Sequence, residues 1–226
     1  MTPQERPVLF NEAMVRAIVD GRKSVTRRPV TVPWSKGFRC QPYEPWFVES
    51  DGELHVDCSN WKDSFGGGDY REFASCMPCP FGRVGDRLWV RETWAIAAGP
   101  RRGIDLEPMS AKNTAIVYRE DWNKNQPDLP LDGCWSPSIH MPKWAARIWL
   151  QVLSVRVERL HEITESDAKL EGMAGDGAYG IGHIPSWQRS PRVYDFSVLW
   201  EDVYAKRGLG WNVNPWVWRI EFKRSA

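Results

Sequence analysis

The chain carries almost no net charge, since its 30 Lys and Arg are matched by 29 Asp and Glu to leave +1. A global field able to hold a polyanion nonspecifically is therefore excluded, and any nucleic-acid contact must be local. Histidine is scarce, and His55, His140, His161 and His183 show no ligand spacing. Cysteine is sparse and odd in number, with five residues, which fits reduced thiols better than a disulfide framework. The segment Met1–Pro7 lacks the basic start and apolar run of a signal peptide. No later stretch is long and apolar enough to span a bilayer, so a cytoplasmic protein without a membrane partner is expected. Internal repeats and low-complexity tracts are absent as well.

What is present is enough to fold. At 226 residues, 42% hydrophobic and 12% aromatic, the chain can bury a full core but is short for two ordinary domains. A single domain over residues 1–226 is expected, with insertions at about 31–80, 95–146 and 174–191. Fourteen tryptophans are a large excess. Their apolar bodies and single donors suit core packing first and a cleft lining second. The charge is uneven: residues 1–40 hold eight basic side chains against three acidic ones.

The pattern along the chain predicts a mixed α+β order. Val8–Phe10 reads as a short buried strand. Asn11 is a good N-cap for a helix over Glu12–Asp20, which Gly21 ends. Periodicity then collapses until Gly85–Asp86, a turn that leads into a strand through Trp94. Thr114–Tyr118 is a further strand. Arg147–Leu160 alternates well but slips phase near Leu153–Ser154, as a bulge would produce, and such a long bent strand suits a small barrel. Thr164 caps a short helix to Glu171, with Asp167 at the capping-box position and Gly172 as the stop. A helix over Val193–Ala205 and a closing strand over Trp216–Phe222 complete the order.

The most informative segment is the basic block Gly21-Arg22-Lys23-Ser24-Val25-Thr26-Arg27-Arg28. Together with Gly85-Asp86-x-Leu88, the acidic helix Thr164-Glu165-x-x-Ala168-x-x-Glu171 and the closing strand at Trp218–Phe222, it resembles the ASCH family of the PUA-like superfamily. The likeness is nearer to the long ASCH proteins of phages and prophages than to the short bacterial members. It implies a PUA-like small mixed β-barrel with peripheral helices and long irregular insertions. Short ASCH enzymes are N(4)-acetylcytidine amidohydrolases that use a lysine, a threonine and a glutamate, and the matching positions here are Lys23, Thr26 and Glu171. Serine stands at position 24, where the family usually has threonine. The resemblance implies a modified pyrimidine base or nucleoside as substrate, with RNA as a further partner, and requires no metal or organic cofactor.

Amide cleavage needs a nucleophile, a base and donors for the oxyanion. Thr26 is the only hydroxyl in the block with a lysine three residues earlier. On a regular strand such positions face opposite sides, so Lys23 and Thr26 converge only if the backbone turns between them. Burial and the neighbouring arginines lower a lysine pKa, and Glu171 raises it. Threonine as nucleophile with lysine as base ranks first. The alternatives are a charged Lys23 serving as oxyanion donor, or Glu171 acting as base through a water. Arg22, Arg28 and Trp94 are candidate substrate-binding residues, with Trp144 and Trp187 as further stacking candidates.

Each of these residues also has a plain reading. A Lys-x-x-Thr turn is usually a solvated surface feature, a glutamate at a helix end is usually a surface charge, and a single tryptophan is usually core. Cys76 and Cys79 with Cys58 upstream supply half of a structural zinc site and lack the other half, so packed reduced thiols are expected. Rival functions are an RNA-binding or modified-base-binding module, a ribonuclease on the same scaffold, and an interaction protein that uses the Trp-rich insertions.

Overall fold

A computed structural model describes residues 2–31, 46–50, 53–57, 79–96, 116–121, 135–175 and 190–225. Most of the three expected insertions, including Cys58, Cys76 and Trp187, lies outside the described residues. The elements in chain order are β1 (Glu5–Leu9), α1 (Glu12–Val19), β2 (Val25–Pro29), β3 (Trp46–Ser50), β4 (Glu53–Asp57), β5 (Arg87–Arg91), β6 (Trp94–Ile96), β7 (Ile116–Tyr118), β8 (Trp149–Arg159), α2 (Glu165–Leu170), α3 (Pro191–Tyr204) and β9 (Trp216–Arg224), with short 3-10 turns between several of them. The class is α+β, as the sequence pattern predicts.

Five strands form the main sheet in the order β1-β5-β8-β9-β2. β1 runs parallel to β5, and the other neighbours are antiparallel. β1 and β2 are its two edges, so the sheet is not closed into the expected barrel by strand pairing. The β1–α1–β2 segment instead carries the chain from one edge to the other. β3 pairs with β4 and β6 with β7 in separate two-stranded sheets.

Local chemistry sets the boundaries. The Asn11 side chain accepts from Met14 N at 2.9 Å and starts α1, a cap worth about 1 kcal/mol. Asp20 closes the helix and Gly21 follows at φ 73°, a left-handed conformation that glycine enters without a Cβ clash. β1 begins and ends earlier than the Val8–Phe10 run suggests, because Glu5 to Leu9 pair in register with Arg87 to Arg91. Apolar content locates the burial, while pairing sets the ends. α3 likewise starts at Pro191, which fits the first helical turn where no amide donor is needed. The register of β8 on β9 shifts between Val152 and Ser154. Leu153 turns outward there at 40% exposure, so Val152 before the bulge and Val155 and Val157 after it serve the same core.

That core joins Val15 and Ile18 of α1 to Leu88, Val90, Leu150, Val152, Trp218, Ile220 and Phe222 of the sheet. A second core forms on the other side of β9, where Val217 meets Leu160, Ala168, Phe196, Leu199 and Trp200. β9 is thus buried on both faces, and its run of apolar and charged residues is sandwiched between α1 and the pair α2 and α3. Among the described residues no helix is long and apolar enough to cross a membrane.

Candidate functional site

Lys23 sits just ahead of β2, where its backbone forms an isolated bridge with Glu171. Two tight turns meet at this point. Lys23 N donates to Ala17 O at 2.9 Å at the end of α1, and Glu171 is the C-cap of α2, whose N-terminus is closed by the reciprocal Thr164–Asp167 capping box. Gly172 follows at φ 93°, and a Cβ there would stand 2.9 Å from Ala17 Cβ and 3.3 Å from Lys23 Cβ. The absence of that side chain lets the end of α2 close over Lys23.

The lysine and glutamate head groups are in direct contact and out of water. Lys23 Nζ lies 2.6 Å from Glu171 Oε2, with side-chain exposures of 0% and 1%. It also donates to Glu171 O at 3.0 Å and to Val25 O at 2.8 Å. These three acceptors match the three N–H groups of an ammonium. Burial pushes the Lys23 pKa down, and the Arg28 and Arg27 charges push the same way, while the Glu171 charge and hydrogen bond oppose them without cancelling the shift. Glu171 Oε1 accepts from Arg27 Nη1 at 3.2 Å. Burial and the Glu171 carboxylate therefore pull the Lys23 proton in opposite directions across a short contact.

Thr26 is the next residue after the carbonyl that Lys23 grips, so the amine rests on the Val25–Thr26 peptide. Thr26 is itself buried. Thr26 stands opposite Ile220 and Arg28 opposite Trp218 in the pairing of β2 with β9. Positions two apart and residues directly paired share a face, so Thr26 points to the same side as Arg28. Phe10 lies on that side, with the Lys23 amine 5.6 Å and the Arg28 guanidinium 5.2 Å from its ring centre. The lone pair of a neutral Lys23 would point at Glu171, not at Thr26, which weakens the direct relay ranked first from the sequence.

On the opposite face of the same strands lies an ion network that the sequence reading did not assemble. Arg27 Nε donates to Glu158 Oε1 at 2.7 Å, and Arg27 Nη2 stands 3.5 Å from Asp167 Oδ2. Arg219 Nη2 donates to Asp167 Oδ1 at 3.0 Å, and Arg156 Nε to Glu158 Oε2 at 3.0 Å. The signals were present in the pattern. Arg27 alternates with Thr26 on β2, and Asp167 precedes Glu171 by four residues, which places both carboxylates on one helix face.

Asp167 gives the network a testable acid limit. Burial raises its pKa, but hydrogen bonds from Thr164 and Arg219 and the Arg27 charge outweigh that and bring it from 3.8 to about 2. Its contribution to stability is complete above the unfolded value and is lost as pH falls through the folded one. For a partly exposed carboxylate this amounts to about 1–2 kcal/mol. Urea unfolding between about pH 5 and about pH 2 should show this loss, and Asp167→Asn should remove that part of the pH dependence.

The remaining candidates lie apart from the Lys23–Glu171 contact or on its edge. Arg22 is at the surface, bound to Asp20 at 2.9 Å and to Gly172 O at 3.3 Å. Arg28 is spent partly on Leu9 O and on the Tyr204 hydroxyl at 3.3 Å. Trp94 belongs to a third apolar cluster with Met141 and Ala145 and meets Trp144 edge-on at 6.0 Å. It packs there, away from the Lys23–Glu171 contact. Cys79 is a buried thiol whose pKa burial pushes up to about 12, so it is protonated and a poor ligand. Among the described residues no cluster of His, Cys, Asp and Glu is arranged to hold a metal ion. Comparison of the chain with family models, with curated proteins and with solved structures finds no match in any of the three.

Proposed function

We propose that this chain is a PUA-like protein of the ASCH kind that hydrolyses the N(4)-acyl amide of a modified cytosine base or nucleoside. The observation that carries the reading is the buried contact of Lys23 with Glu171, two residues 148 apart in sequence, in the same segment as the buried Thr26. A lysine and a carboxylate that share a proton in a dry site can both take and return it, as acyl transfer requires.

In this reading Thr26 Oγ1 attacks the acyl carbon while its proton passes to the Lys23–Glu171 pair. The carbon–nitrogen bond then breaks, and the pair returns the proton to the departing N4 amine. Water completes the cycle by hydrolysing the resulting ester, which releases the carboxylic acid and regenerates the threonine. An ammonium held by Glu171 also suits the oxyanion of each tetrahedral intermediate. Because the lysine amine is closed off from solvent, turnover includes an opening of the cover formed by the end of α2.

That same complete burial favours a second reading, in which the pair is a structural latch and the chain binds a modified base without turning it over. Purified protein incubated with N(4)-acetylcytidine separates the two. The hydrolase reading expects cytidine release that is lost in Lys23→Met and Glu171→Gln. Binding of the nucleoside without release of cytidine would transfer the assignment to the binding module.

A further inference from the structure

Arg27 is a buried cation with no carboxylate of its own. Glu171 already has Lys23 at 2.6 Å, Asp167 has Arg219 at 3.0 Å and Glu158 has Arg156 at 3.0 Å. Arg27 is a second cation for all three, 3.2 Å from Glu171 Oε1, 3.5 Å from Asp167 Oδ2 and 2.7 Å from Glu158 Oε1. Its side chain is 0% exposed, against 53% for Arg156. Taking a guanidinium out of water is costly, and charge pairing does not account for one whose carboxylates each have another partner.

Geometry does account for it. A guanidinium is planar, and its donors stand in a fixed fork. Nε donates to Glu158 Oε1 at 2.7 Å, and Nη2 lies 2.7 Å from the same oxygen. With that edge seated, the direction of Nη1 follows, and Nη1 ends on Glu171 Oε1. The other oxygen of that carboxylate, Oε2, is the one that meets Lys23. Glu158 on β8 thus fixes the guanidinium, the guanidinium fixes one oxygen of Glu171, and the second oxygen is left aimed at the amine.

We propose that Arg27 is a positioning residue for the Lys23–Glu171 contact and that Glu158 acts on that contact through it. That the alignment serves turnover rests on the hydrolase reading; that it governs the Lys23 proton does not. The charged groups acting on the amine are Glu171 at the end of α2 and Arg28 and Arg27 of β2. Burial lowers the Lys23 pKa, the Glu171 charge and hydrogen bond raise it, and the Arg28 and Arg27 charges lower it again. Removing Arg27 therefore moves the Lys23 titration up. Removing the charge of Glu158 leaves that of Arg27 less compensated and moves the titration down. Side chains that only filled space would give no such opposed pair.

Carbon-13 spectra of the chain labelled at lysine Cε follow the Lys23 amine through its titration, with Lys23→Met identifying the signal. Relative to the native chain, Arg27→Met is expected to titrate higher and Glu158→Gln lower, each by about half a pH unit or more. Arg156→Gln, at the exposed rim, should shift it by less than about 0.2 of a unit, because water screens that charge. Kinetics with N(4)-acetylcytidine give a second readout. In Arg27→Met and Glu158→Gln, kcat should fall at least about tenfold with KM within about twofold. Arg27→Lys keeps the charge and loses the fork, so it should hold the native titration and not the native kcat. Melting curves establish which variants fold, and where Arg27→Met does not, Glu158→Gln decides alone. A Lys23 titration that Glu158→Gln leaves unmoved, or that both variants move the same way, overturns the proposal. The expected shifts in a chain without turnover sink only the hydrolase, and turnover with native kcat in Glu158→Gln sinks only the positioning role.

Discussion

Glu171→Ala is expected to cost about 3–5 kcal/mol of folding stability, one of the two largest effects among the single substitutions considered. The carboxylate is the common partner of Lys23 and Arg27, at 2.6 and 3.2 Å, and its removal strands an ammonium with no access to water. Breaking one half of a buried pair has this cost because the charge left behind keeps its desolvation penalty and loses its compensation. Arg27 suffers less, since it retains Glu158 at 2.7 Å and Asp167 at 3.5 Å. The double variant Lys23→Met with Glu171→Met should therefore recover much of the loss, because two long apolar side chains fill the space without an unpaired charge. Urea unfolding of the native chain, both single variants and the double variant forms the cycle that measures this coupling. A coupling energy near zero would show that the pair is not a unit. Recovery of stability in the double variant, without recovery of turnover, separates what the pair does for the fold from what it does for chemistry.

The sequence made the local structure legible wherever one residue acts on its own backbone. Asn11 and Thr164 announce helix starts because their side chains cap adjacent amides, and both caps are present. The phase slip at Leu153 announces the bulge because a strand has a strict period of two, and the register shift falls at that point. What the pattern could not supply was closure. A long bent strand is compatible with a barrel, but whether β1 meets β2 depends on where α1 lies across the sheet, and no local signal fixes that. The pairing of Lys23 with Glu171 was reached through a resemblance and not through spacing, since 148 residues separate them. Glu158 was missed for a related reason. It occupies one alternating position in β8, and only the placement of Arg27 across β9 reveals its role. The packing of Trp94 on Trp144 was not legible either, because an aromatic residue near a turn looks the same in sequence whether it meets a ligand or another ring.

Thr26→Val should produce the opposite balance, a chain that folds and does not react. Thr26 is only 2% exposed. Replacing its hydroxyl by a methyl group of nearly the same size keeps the packing volume and buries a little more apolar surface. Stability should stay within about 1 kcal/mol of the native chain or rise slightly. Turnover should fall by about 10³-fold or more if Thr26 forms the acyl intermediate, because the step it performs has no substitute of comparable geometry. Thr26→Ser, which keeps the oxygen, should retain measurable activity. The outcome also decides between the two acid–base schemes. If Thr26→Val keeps substantial turnover while Glu171→Gln does not, the attacking oxygen is a water activated by Glu171, and Lys23 serves as the charged donor to the oxyanion. If both are inactive and a mass-spectrometric trap finds the acyl group on Thr26 in the native chain, the proton has moved from the threonine hydroxyl into the Lys23–Glu171 contact, and the closed geometry of that contact is the resting state of the reaction.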